Sequence, residues 1–152
     1  MSRTRIHHFN GFSIKRAGLD IQLDMSRIEG NFNEAQFSLD SAVMTSMVPF
    51  MPMRDGSFIN RTKAESAALA GTGEVVAAVG PEGRFLYGGK LMVDPSTGSA
   101  WARKDAKKVV TTQSLRYSKA PHPKAQAKWF DAAKDADGDK WVRTVKKVAG
   151  GG

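Results

Sequence analysis

The sequence contains no cysteine, which excludes disulfide staples, thiol catalysis and cysteine-based zinc sites. It has no apolar run of about 18 residues, the length a membrane-spanning helix needs. It has only three histidines, His7, His8 and His122, with no third ligand at metal spacing beside the first two. The start, MSRTRIHHFNGFSIKR, is basic. No apolar core of about 7–15 residues follows it, so it does not read as a secretory signal. No Gly-x-Ser-x-Gly elbow occurs.

Two near-motifs fail on spacing. The stretch Gly83 to Leu91 resembles a phosphate loop, but five residues separate Gly83 from Gly89, and Leu91 stands where a magnesium-binding hydroxyl belongs. Asp135, Asp137 and Asp139 hint at a calcium loop. With Gly138 as the sixth position, Ala133 and Thr144 occupy the first and twelfth, where carboxylates are required. The pattern is that of a non-enzyme, with no cofactor and no metal expected.

What remains is an ordinary globular composition, 41% hydrophobic and 25% charged over 152 residues, the size of one domain. The net charge is +8, and its distribution is uneven. Between Trp101 and Lys128 stand eight cations, Lys104, Lys107 and Lys108 among them, against one anion, Asp105. Such a cluster attracts polyanions or faces an acidic partner. Trp101, Trp129, Phe130 and Trp141 lie near these cations, the pattern of a single-strand nucleic-acid platform. Trp129 and Trp141, however, fall on an apolar helical face and read as core or subunit-interface packing.

Along the chain, residues 1–18 lack a clear period and read as an N-terminal arm. Residues 19–149 read as a single α+β domain, and 150–152 as a glycine tail unable to pack. Leu19, Ile21, Leu23 and Met25 alternate with polar residues, which predicts a half-buried strand. Phe32, Ala35, Leu39, Ala42, Val43 and Met47 form a helical stripe, with Asn31 or Asn33 as cap and Pro49 as terminator. Residues 58–69 and 73–79 suggest a hairpin. Pro81 to Tyr87 suggests a short helix closed by Gly88-Gly89. Strands are expected near Leu91, Val109 and Leu115. Two short helical pieces are expected after His122-Pro123, interrupted at Asp137-Gly138. The expected fold is α+β: an antiparallel sheet packed by one long helix, with further short helices at the C-terminal end.

An ordered set of stretches resembles the phage minor capsid proteins of the second type, relatives of tail-completion and head–tail joining proteins. Val48-Pro49-Phe50-Met51-Pro52, followed by Asp55-Gly56-Ser57-Phe58, is similar to a proline–aromatic–x–proline … Gly-x-Leu passage, with Phe58 in place of the commoner aliphatic residue. Pro81 to Lys90, carrying Arg84, Tyr87, Gly89 and Lys90, is similar to a Pro-Tyr-Ala-Arg-x-x-Tyr-x-Gly-Lys segment, with Glu82-Gly83 replacing Tyr-Ala. Met92 to Pro95, Ala100-Trp101-Ala102, Leu115 to Ser118, Trp129 to Lys134 and Lys140-Trp141-Val142 continue the order. The resemblance implies a small α+β virion protein, assembled with itself as a ring, a hexamer by expectation, in the neck between head and tail. Its neighbours would be head-closure or portal-side proteins above and tail-terminator or tail-tube proteins below. DNA passing through the channel is a further expected contact, and no membrane is involved. The arm, the loop at 91–120 and the glycine tail are the segments expected to order on docking.

Overall fold

A computed structural model describes residues 5–151. Residues 1–4 of the expected arm and Gly152 of the expected tail lie outside the described residues. The chain is α+β, as the sequence suggests. It runs β1 (Phe12–Arg16), β2 (Leu19–Leu23), α1 (Ser26–Met47), a 3-10 turn (Val48–Phe50), α2 (Ser57–Leu69), α3 (Gly80–Gly88), β3 (Lys90–Val93), β4 (Val109–Ser114) and α4 (Trp129–Ala149). The strands form two separate two-stranded antiparallel sheets, β1–β2 and β3–β4. The long helix α1 packs chiefly on α4.

The expected arm is partly structured. Ile14 pairs with Ile21, and Phe12 with Leu23, across a two-residue turn at Ala17-Gly18. Both turn residues take positive φ, 47° and 83°, as a hairpin whose twist matches its strands requires. Before the hairpin, residues 6–9 are strapped to α1. Asn33 Oδ1 accepts the backbone N–H groups of Ile6 and His7, each at 3.0 Å, and its Nδ2 donates to the His7 carbonyl at 2.9 Å. Asn33 is therefore not a cap. Helix α1 starts seven residues earlier, at Ser26, whose N–H donates to Asp24 Oδ1 at 2.9 Å. That bond holds the Asp24 carboxyl below its usual range.

Residues 57–69 form a helix, not the arm of a hairpin. Asp55 Oδ1 accepts both the N–H and the hydroxyl of Ser57, at 2.9 and 2.7 Å, which satisfies the first N–H of the helix. Ile59, Thr62 and Ser66 are buried at steps of three and four. The Ser66 hydroxyl then donates to the Val76 carbonyl and accepts its N–H, at 2.8 and 3.0 Å. Residues 73–79, the other expected arm, join α2 through Val76 and form no strand.

Helix α4 runs unbroken through Asp137-Gly138 for 21 residues, so the expected short helices are one long helix that begins at Trp129, not after Pro123. His122 instead donates from Nδ1 to the Met51 carbonyl at 2.9 Å. The expected strand at Leu115 to Tyr117 is irregular; its first N–H donates to the Gly89 carbonyl at 2.8 Å. Two glycines of the expected tail close α4. Gly150 N–H donates to the Lys146 carbonyl and Gly151 N–H to that of Val148, at 3.0 and 3.1 Å.

The core joins Val43, Met44 and Met47 of α1 to Met51, Ile59 and to Trp129, Ala133 and Trp141 of α4. Asp40 is buried beside it. One carboxylate oxygen accepts the N–H groups of Gly71 and Gly73 at 2.8 and 3.0 Å, and the other accepts Gln36 Nε2 at 2.8 Å. A buried charge is tolerable because these donors replace water.

Candidate functional site

The residues that carry the family resemblance divide into a scaffold and a surface. Trp129 is fully buried, its indole N–H donates to the Ala77 carbonyl at 2.8 Å, and Tyr87 and Phe58 stand edge-on at 4.8 and 6.0 Å between ring centroids. Trp141 donates to Ser46 Oγ at 3.0 Å and stacks on Phe130. Both tryptophans are core residues, and their packing leaves neither as a nucleic-acid platform.

Pro49 lies in the 3-10 turn that redirects the chain after α1, and Pro52 follows the buried Met51. Gly56, at φ 83°, leads into α2. Gly89 closes α3 at φ 73°, and a Cβ there would fall 2.7 Å from that of Ala127. Tyr87, two residues earlier, accepts Lys128 N–H at its carbonyl, which seats the start of α4. The Tyr117 hydroxyl donates to the Leu86 carbonyl, and burial pushes the Tyr117 and Tyr87 phenols up from their usual range. Gly83, the first residue of the near-phosphate loop, sits inside α3 against Ala78 and Phe58.

The surface set is on the β3–β4 side. Arg84, Lys90 and Lys108 line one cleft of about 440 Å³ with Phe85, Met92 and Val110. The Arg84 guanidinium lies 4.4 Å from the Phe85 ring centre, and Lys90 Nζ donates to the Thr112 carbonyl at 3.3 Å. Lys104 and Lys107 are exposed on the connection from β3 to β4. Trp101, on the same connection, is 89% exposed.

That connection is braced, by a residue sequence reasoning missed. The buried Asp94 accepts Ser96 N–H at 2.8 Å, Arg103 N–H at 3.2 Å and Arg103 Nε at 3.0 Å. Its backbone N–H and carbonyl bond Ser99 and Gly98, each at 2.8 Å. The Arg103 side chain and these N–H groups hold the Asp94 carboxyl at about 2. Arg103 is therefore committed to Asp94, and the display of Trp101 rests on a preformed loop. The only signal for this in the sequence is an Asp-Pro-Ser-Thr-Gly turn. Exposed lysines and an exposed indole on one braced loop suit a polyanionic surface.

A second surface also escaped the sequence reading. Phe12, Ile14, Leu19, Ile21 and Leu23 share one face of the β1–β2 hairpin and are 43–61% exposed. Ser13, Lys15, Asp20 and Gln22 form the other face, with Lys15 and Asp20 paired at 3.4 Å. The hydrophobic alternation in β2 was legible, but the half-buried strand it suggests is exposed along its whole length. Its partner was not legible, because Ala-Gly is a weak hairpin signal beside Asn-Gly.

Among the described residues no three or more carboxylate or imidazole groups converge as a metal site, and no helix is long and apolar enough to cross a membrane. No family model, curated protein or solved structure matches the chain.

Proposed function

We propose that the chain is a virion structural protein of a tailed phage, a tail-completion or head–tail connector component that forms a ring in the neck. The observation that carries this reading is the pair of uncovered surfaces, one apolar and one basic, on a body in whose core Tyr87 and Trp129, two of the resemblance-carrying residues, pack together. A ring component needs distinct faces that meet copies and neighbours, and this chain has two of opposite chemistry. It would assemble in the host cytoplasm and reside at the head–tail interface. The basic surface would face an acidic neighbour or the DNA channel. The test is purification of the chain with isolated tails. Co-sedimentation as a ring supports the reading, and no association with tails or heads contradicts it.

A second reading, a basic nucleic-acid-binding module, is favoured by Trp101 standing exposed among cations. It requires the isolated chain to bind DNA with an affinity that falls steeply as salt rises. Weak binding with a shallow slope removes it.

A further inference from the structure

The β1–β2 hairpin is a two-stranded sheet, and such a ribbon alone is marginal in water unless its apolar face is covered. The described residues do not cover it: every residue of both strands is exposed. Five half-exposed apolar side chains present on the order of 400 Å², comparable to the largest patches single chains leave to solvent. That is about half of the ~800 Å² each partner gives to a standard interface, the share that is apolar in most of them.

The same chain carries a matching receptor. Between α1 and α4 runs an open groove of about 840 Å³, lined by Leu39, Val43, Phe130, Trp141, Val142 and Val145. Val142 is 52% exposed, although it sits beside the buried Trp141. From Phe130 to Val145 the helix extends roughly 22 Å. A five-residue strand extends roughly 17 Å, so the hairpin fits within it. The groove is balanced in charge, Lys134 and Lys146 against Asp135 and Asp139, so its match to the hairpin is one of length and apolar area.

We propose that the apolar face of the β1–β2 hairpin of one copy docks in the α1–α4 groove of a second copy of this chain. The contact is heterologous: hairpin meets groove, and a pair of copies keeps one groove and one hairpin unused. Repetition closes a ring or runs on as a filament. This supplies the subunit contact for the ring reading and rests on it only for the closure.

Mutual complementation tests it. Hairpin variant Ile14→Asp/Ile21→Asp and groove variant Val142→Asp change exposed positions, so circular dichroism should report folded chains. Sedimentation of the full chain between about 10 µM and about 1 mM covers even weak association. Wild type is expected to self-associate, and each variant alone to remain monomeric. An equimolar mixture of the two is expected to form one-to-one pairs and nothing larger, since only one hairpin–groove contact survives per pair. With no native cysteine in the way, Ile14→Cys mixed with Val142→Cys is expected to cross-link on oxidation. Wild type that stays monomeric throughout overturns the proposal. So does association of Val142→Asp alone, which would mean that hairpins meet hairpins. Tail binding by a chain monomeric at the highest concentration removes this contact but not the neck role. Hairpin–groove association by a chain that tails ignore removes the neck role but not this contact.

Discussion

Trp129 packs in three directions at once: its ring meets Tyr87 and Phe58 edge-on, its N–H reaches the Ala77 carbonyl, and its backbone opens α4. Trp129→Ala should therefore cost about 3–5 kcal/mol, read from the denaturant midpoint, because the cavity and the stranded carbonyl add. A loss under about 1 kcal/mol would show a site that collapses freely. Asp94 gives a pH dependence whose sign follows from its bonds. Its carboxyl sits at about 2 when folded, below its ordinary unfolded value. The stability it contributes is fully present above about pH 4 and is lost as pH falls through about 2. Asp94→Asn should flatten the acid limb of a melting curve between those values. An unchanged limb would mean that the brace around Arg103 does not form.

At the scale of elements, α4 offers a sharp test. Gly138 sits in the interior of a continuous helix, and a Cβ there meets only Lys134 Cγ at 3.7 Å. Gly138→Ala should stabilise the chain by up to about 1 kcal/mol. A loss instead would place a break at Asp137-Gly138, as the sequence suggests. The helix and strand periods of α1 and β2 were legible because their apolar residues recur cleanly. The stretch 57–69 was not, because Thr62 and Ser66, two of its three buried residues, are polar and bond within the fold. The role of Asn33 was misread for a related reason. A capping residue type is also one that can clamp a passing backbone, here that of His7. Within the candidate site, the cations and Trp101 were visible as a cluster, but the Asp94 brace joins residues nine apart and has no sequence period.

At the scale of the whole molecule, a packed frame is flanked by a basic loop and an uncovered apolar hairpin. Charge reversal of Lys104, Lys107 and Lys108 should impair head–tail joining while leaving the fold intact, since all three are exposed. Normal yields of infectious particles would contradict a docking role for the loop. The most direct test of the central claim is the mass of the purified chain in solution, alone and then mixed with purified tails. A preformed hexamer, or a smaller species that becomes a ring on tails, is the expected result. A stable monomer that ignores tails and binds DNA tightly would contradict the neck role and transfer the basic surface to nucleic-acid recognition.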